Sequence, residues 1–470
     1  MLIVLSSLGL LAVTPWAKTK AAFFRGEKGT GATVATPNVW VLTSSLVISW
    51  LFAKSITNAA NLGLAFGLVG GVAYAAYYLS FVVAGLVIYR LRTRGGFTSI
   101  HHFLGTKYGR GAIVIFSLLI AFRLFNEVWS NTMVIGSYFG DAGSTAYTWS
   151  IVVFTALTLA YSLKGGMSSS IVTDVIQMFF FGILLVVVLG AVLQSSQPTV
   201  SSQPLVTSII SSGDWVMSQG GNLLLVAIIQ SLSYPFHDPV LTDRGFITDA
   251  KTTLRSFLWA APIGGLCIIL FSVVGIYGQL RGVSGQAPVE VAKLLGPVIM
   301  LVMNFIMVTS AASTLDSTFT SFAKLTVIDL GKPAKATLSR GRWAMVMVTL
   351  LGSLPIFLGA EILSATTISG TMVIGLAPVF TLWWLKAPSL SFHLSVGLGI
   401  TLGLVLVNGW WPTAWNFTEG KYASLLSINL LGTLACYFIF CVPLLLNSRT
   451  ATTTKEMKSF PIKSPNATKV

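Results

Sequence analysis

The stretch SWLFAKSITNAANLGLAFG, residues 49–67, begins and ends in residues that suit hydrocarbon but sets Lys54, Ser55, Thr57, Asn58 and Asn61 between them. A charge at the bilayer centre costs at least ~2.5–3.5 kcal/mol unless it meets a partner or a wet cavity, so a plain spanning helix does not account for this run. The same conflict recurs in QSLSYPFHDPVLTDRGF, residues 230–246, where Pro235 and Pro239 bracket Phe236, His237 and Asp238. Each proline removes a backbone donor, and hydrocarbon offers the freed carbonyls nothing in exchange. Both stretches therefore read as helices broken at membrane depth. Two interrupted helices at matching positions in two halves of a chain point to the binding site of a secondary transporter.

The rest of the chain supplies the membrane. Its 470 residues are 54% hydrophobic and 9% charged, with mean hydropathy +0.81, which excludes an ordinary soluble protein. Apolar runs near 1–17, 38–67, 69–91, 112–139, 147–163, 172–195, 220–238, 256–279, 294–323, 341–358, 362–385, 390–408 and 423–446 predict an all-α integral membrane protein of about 13 spans. The breaks fall in the second and seventh, five apart, as a five-plus-five inverted repeat requires. The organisation expected is a peripheral helix at 1–17, a transport core at 38–387, additional helices at 388–447 and a polar, basic tail at 448–470 without fixed structure. Residues 1–17 lack a basic leader and carry their basic flank behind them, which favours a retained helix over a signal-peptide core. Cys267, Cys436 and Cys441 all lie in apolar runs and suggest neither a disulfide framework nor a metal site.

The net charge of +15 invites a nucleic-acid partner, but its placement argues otherwise. With the N-terminus outside and the C-terminus cytoplasmic, 24 of the 29 Lys and Arg fall on the inner side, Arg244 and Lys324 among them. Three fall outside and two, Lys54 and Arg123, at membrane depth. That is the positive-inside bias of a protein in the cell membrane, not a nucleic-acid face.

Few charges lie inside the spans: Lys54, Arg123, Glu127, Asp174, Asp238 and Asp316. Arg123 and Glu127 stand four residues apart and can neutralise each other as a structural pair. Asp316 sits in TSAASTLDSTFTSFAKL, residues 309–325, where Ser310, Ser313, Asp316, Ser317, Thr320 and Lys324 recur at helical spacing as one polar stripe. Serines and threonines alone would read as helix–helix glue, worth about 0.6–2 kcal/mol per contact. Glue needs no carboxylate. Hydroxyls, backbone carbonyls and a carboxylate together make the oxygen set that a hard cation such as sodium prefers.

Three segments resemble the sodium/solute symporter family, whose members carry sugars, proline, vitamins, iodide and sialic acid on a LeuT-type inverted-repeat fold. They are SAASTLDS (310–317), YSLKGGMSSSIVTDVIQ (161–177) with Tyr161, Gly165, Gly166, Thr173, Asp174 and Gln177, and LTDRGFITDAK (241–251), where Asp243-Arg244 replaces the usual Gln-Arg of an inner loop. The resemblance covers roughly residues 38–387. It implies a first sodium site from the carbonyls of Ile48, Leu51 and Ser310 with the hydroxyls of Ser313 and Thr314. A second site, used by some members, would take Asp174, Ser313, Asp316 and Ser317. The solute would lie near Lys54, Ser55, Asn58, Tyr234, Phe236, His237 and Asp238.

Lys54 and His237 depart from the family's pattern. Lys54 can pair with Asp238 or Asp316, meet an anionic solute, or replace a sodium ion; His237 can titrate or serve as a neutral polar group. The expected function is sodium-coupled symport of a small polar organic solute into the cell, with Na+ as the co-transported ion, the bilayer as surroundings and no obligate protein partner. A proton-coupled or sodium-independent carrier built on Lys54 and His237 is the alternative, followed by a transporter-like sensor. An enzyme is disfavoured, since His101, His102, His237 and His393 show neither metal-ligand spacing nor a nucleophile–base pair. Single cysteines placed within 92–110 and 327–341, with the native cysteines replaced, are expected to react with an impermeant thiol reagent from the cytoplasmic side only. Labelling of both from outside overturns this orientation.

Overall fold

A computed structural model of the chain describes residues 1–27, 36–195, 204–331, 333–354 and 369–458. Among these residues there are helices and no strands. In order they are α1 Leu2–Val13, α2 Lys20–Arg25, α3 Val39–Trp50, α4 Ala53–Ala75, α5 Leu79–Thr93, α6 Ile100–Phe139, α7 Thr145–Gly165, α8 Met167–Leu193 and α9 Leu205–Ile210. There follow α10 Gly221–Gln230, α11 Pro239–Arg244, α12 Ala250–Leu280, α13 Ala287–Leu294, α14 Pro297–Lys324, α15 Leu338–Ser353, α16 Leu376–Thr381, α17 Ser389–Val407 and α18 Ala423–Lys458. Among the described residues eight stretches are long and apolar enough to cross a membrane, and the protein is multi-pass. Residues 362–368 of the eleventh expected span lie outside the described residues.

Several expected boundaries are set by glycine. Gly67 (φ +63°) turns the chain from the second span into the third within α4, and the turn is held by the Leu68 N–H donating to the Ser212 carbonyl at 3.2 Å. Gly166 (φ +57°) separates α7 from α8. Helix α8 therefore starts at Met167 rather than 172, which puts Asp174 two turns inside the helix instead of at its beginning.

Both breaks are present. Helix α3 stops at Trp50, Leu51 and Phe52 are non-helical, and α4 resumes at Ala53. After α10 the chain passes through a 3-10 turn, Tyr234–His237, and restarts as α11. Here the prolines begin short helices instead of interrupting a long one. Asp238 caps α11, its Oδ1 accepting from the N–H groups of Val240 (3.0 Å) and Leu241 (3.4 Å). The seventh span thus continues past 238 to Arg244, which is buried rather than part of an inner loop.

Helix α1 has 12 residues, about 18 Å of rise, too short to cross ~30 Å of hydrocarbon by itself. It lies against α7, where the Lys164 ammonium donates to the Leu11 carbonyl at 2.7 Å. Helices α4 and α12 meet backbone to backbone at their glycines. A Cβ on Gly275 would stand 1.7 Å from the Ala60 carbonyl oxygen, and one on Gly63 2.2 Å from that of Ser272. Small residues are the membrane's route to such close backbone approach. Gly275→Ala is expected to lower the melting temperature of the detergent-solubilised protein by an amount matching about 1–3 kcal/mol of overpacking. An unchanged melt would mean that the two helices separate at no cost.

Candidate solute and ion site

The broken spans enclose a cavity. Trp50, Phe52, Lys54, Ser55 and Asn58 line it from the first broken span, Tyr74, Tyr77 and Tyr78 from the third, and Gln230 and Tyr234 from the second broken span. Lys421 and Tyr422 also line it. The wall is aromatic and tied together by its own polar groups: Tyr74 OH donates to Ser55 Oγ at 3.2 Å, and Tyr77 OH to Gln230 Oε1 at 3.0 Å. Among the described residues no carboxylate lines it.

Of the residues expected near a solute, Lys54, Ser55, Asn58 and Tyr234 line the cavity and Phe236, His237 and Asp238 do not. Phe236 stacks on Phe380 at 4.1 Å between centroids, and the His237 Nδ1 is 2.6 Å from the Tyr234 carbonyl oxygen. Sequence reasoning missed the three tyrosines of VAYAAYYLS (72–80). Their spacing of three and four within an apolar span was the available signal.

Beneath the cavity lies a buried chain of four charges. The Lys54 ammonium is 2.8 Å from Glu127 Oε1, which also accepts Arg123 Nη1 at 2.6 Å; Arg123 Nη2 reaches Asp238 Oδ2 at 2.9 Å. The expected Arg123–Glu127 pair is therefore half of a larger network, and Lys54 finds Glu127 rather than Asp238 or Asp316. Trp50 Nε1 donates to the same Asp238 oxygen at 2.8 Å, and Asn131 Nδ2 to Glu127 Oε2 at 2.9 Å. Two cations and two carboxylates leave the network neutral, the condition under which dry charges survive.

The polar stripe of α14 faces the other side of the first break. The last four carbonyls of a helix have no partner in their own ladder. At the end of α3 the Trp50 carbonyl accepts from Tyr78 OH at 2.9 Å, and the Leu51 carbonyl accepts from Ser310 Oγ. Thr314 Oγ1 donates to the Ser310 carbonyl at 3.1 Å, and Ser313 Oγ to Asp174 Oδ1 at 2.6 Å. Ile48 sits one turn back on the same helix end. These groups are neutral buried oxygens, a donor set that fits a monovalent hard cation.

Asp174 has a further partner that the sequence placed elsewhere. Arg244, 0% exposed, brings Nη2 to 2.8 Å from Asp174 Oδ2, while its Nε donates to Ser45 Oγ at 2.6 Å and its Nη1 to the Val240 carbonyl at 2.9 Å. Ser45 Oγ in turn donates to Asp174 Oδ2 at 2.5 Å. Ser45, Ser170, Thr173 and Arg244 thus join the cluster of Asp174, Ser313, Asp316 and Ser317. Lys324, counted as an inner-loop charge, pairs with Asp243 at 2.6 Å and Asp329 at 3.1 Å at the end of α14.

No family model matches the sequence, and no curated protein matches it. Solved structures do resemble the fold. A sodium-coupled sialic acid symporter in a substrate-bound outward-open state, described with a novel sodium site, superposes with TM-score 0.70 at 15% identity, covering 95% of this chain and 98% of that one. Mhp1, a nucleobase-cation-symport-1 family transporter, in a closed conformation with bromovinylhydantoin bound, gives 0.57 at 12% identity over 92% and 96%. Mhp1 in an inward-facing conformation gives 0.50 at 14% over 93% and 100%. The fold is therefore the LeuT-type transporter fold, with its five-plus-five repeat and two broken helices. It does not single out the sodium/solute symporter family, since the neighbours include a transporter of another family.

Removing one partner from a buried ion pair costs about 3–5 kcal/mol, mostly through the charge left behind. Glu127→Gln is accordingly expected to lower thermal stability strongly, and adding Lys54→Met to it should restore much of the loss by returning the network to neutrality. A double variant that melts below the single one would show that charge balance is not what holds this network.

Proposed function

We propose that the protein is a secondary active transporter of the sodium/solute symporter type, carrying a small polar organic solute inward with sodium by alternating access. One observation carries the reading. The Leu51 carbonyl, freed by the break that forms one wall of the solute cavity, is met by Ser310 of α14. An ion held there by Leu51, Ser310, Ser313, Thr314 and Ile48 would fix the position of α3 against α14 and so the shape of the cavity. Binding of ion and solute then favours the same conformation, which is coupling in thermodynamic terms. The neighbours of this fold, described as symporters or transporters in outward-open, closed and inward-facing conformations, support the same cycle.

The driving force suffices. A sodium ion entering down 100 mV supplies about 2.3 kcal/mol, and each tenfold concentration gradient adds about 1.4 kcal/mol. The protein's own task is positioning, with no covalent step and no role as an enzyme. The alternative carrier, driven through Lys54 and His237, loses support because the Lys54 ammonium is bonded to Glu127 and His237 does not line the cavity. The reading includes a place in the cell membrane with the N-terminus outside and the C-terminus in the cytoplasm, following the distribution of Lys and Arg.

In proteoliposomes tested across a solute panel, uptake is expected only with an inward sodium gradient. Ser313→Ala combined with Thr314→Ala should raise the sodium concentration for half-maximal uptake at least about tenfold, since each lost ligand removes on the order of 1 kcal/mol. Sodium-independent uptake, or a double variant with the parent's sodium response, would sink the proposal; absence of uptake with retained solute binding would favour a sensor.

A further inference from the structure

The cavity between the broken spans carries one uncompensated charge. Among its lining residues only Lys54 and Lys421 are cationic, and the Lys54 ammonium is bonded to Glu127 within the neutral network beneath. Lys421 is exposed, and among the described residues no carboxylate stands within ion-pair distance of it. Its ammonium lies 5.7 Å from the centroid of the Tyr422 ring. Glu419, two residues earlier, is exposed and does not line the cavity.

Lys421 stands just before α18, beyond the transport core expected at 38–387, yet its position is fixed against the second broken span. Thr418 Oγ1 donates to Asn222 Oδ1 at 2.9 Å, and Asn222 Nδ2 donates to the Glu419 carbonyl at 2.8 Å. A Cβ on Gly420 (φ +98°) would stand 2.7 Å from the Cα of Ser218, so the turn lies directly on the approach to α10. The Tyr422 ring meets Phe66 at 6.1 Å between centroids. Farther along α18, Asn429 Oδ1 accepts from Gln230 Nε2 at 2.9 Å, behind the cavity wall. The half-helix that supplies one wall of the cavity therefore also holds the lysine at it.

The rest of the wall narrows the choice of solute. Eight of the 18 lining residues are aromatic. Many of their polar atoms are already engaged: the Tyr74, Tyr77 and Tyr78 hydroxyls donate to Ser55, Gln230 and the Trp50 carbonyl, and the Trp50 indole N–H donates to Asp238. A polyhydroxylated solute would exchange water for a wall with few polar groups to spare, and a cationic one would meet a lysine and no carboxylate. Aromatic faces favour a flat ring, and a cleft of one sign of charge concentrates the opposite ion.

We propose that the transported solute is an aromatic monocarboxylate, its ring against the tyrosine wall and its carboxylate toward Lys421, which acts as the residue that selects for the anion. This rests on the transport reading in taking the cavity as the solute's.

The test is titration calorimetry on the purified full-length protein at pH 7.5 in saturating NaCl. The probes are benzoate, phenylacetate and indole-3-acetate, their three amides, benzylamine, glucose and gluconate. At least one of the aromatic acids is expected to bind at least about tenfold more tightly than its own amide, since a hydrogen bond to a charged group is worth about 1.5–3 kcal/mol. Lys421→Met should remove that preference while leaving the amide's Kd unchanged, Lys421→Arg should keep it, and added N-methylglucamine chloride should weaken the acid's binding but not the amide's. An amide, benzylamine, glucose or gluconate that binds more tightly than every aromatic acid overturns the proposal, as does a panel in which no acid binds or a Lys421→Met variant that keeps the parent's preference. Uptake into proteoliposomes separates this from the symport reading. Sodium-driven uptake of glucose or benzylamine but of no acid leaves symport standing and sinks the solute class, whereas acid uptake that ignores the sodium gradient does the reverse.

Discussion

A helix broken inside hydrocarbon must find partners for every backbone group it frees, because lipid supplies none. In this protein those partners come from other helices. Tyr78 of the 3-10 turn after α4 takes the Trp50 carbonyl, Ser310 of α14 takes that of Leu51, and Asp238 closes the N-terminus of α11 while bonded to Trp50 and Arg123. The breaks are thus the points at which the bundle is cross-linked. The cavity lies on one side of the first break and the oxygens proposed to hold sodium on the other, so neither can rearrange without disturbing the same few bonds.

Helix α11 joins the two sides. It has six residues, about 9 Å of rise, with Asp238 at its start and Arg244 at its end. Asp238 belongs to the charge network under the cavity, and Arg244 to the cluster around Asp174. The two ends of one short helix are thus bonded into both clusters, the contiguity that any coupling between them would need. Its inner end is tied further by Asp243 to Lys324, and the following turn by Arg92, which donates to the carbonyl of Gly245 at 2.8 Å.

Buried ion pairs are weak evidence of stability, since desolvation offsets most of their attraction. Their value here is specificity. Glu127 Oε1 accepts both Lys54 and Arg123, so the register of α4 against α6 is set by a bond that no apolar packing would reproduce. The cavity wall inherits that register, because Lys54 and Tyr234, the latter accepting from Arg123 at 2.7 Å, both line it.

The sequence by itself determined the membrane class, the positions of most spans and the two breaks. Each of these follows from local composition: apolar run length, Pro235 and Pro239, and polar residues such as Asn58 and Asn61 in a helix that lipid would reject. It also singled out Asp174 and Asp316, because a lone carboxylate in an apolar run is visible without knowing its surroundings. Only the tertiary structure decided which charge meets which. Lys54 and Glu127 are 73 residues apart, and Arg244 and Asp174 are 70 apart, separations over which no helical periodicity operates. Arg244 read as a loop charge because its position relative to the break depends on a cap, Asp238, restarting the helix. The tyrosines at 74, 77 and 78 went unnoticed because what makes a wall of them is the cavity opposite, formed in part by residues more than 150 positions away, such as Gln230 bonded to Tyr77.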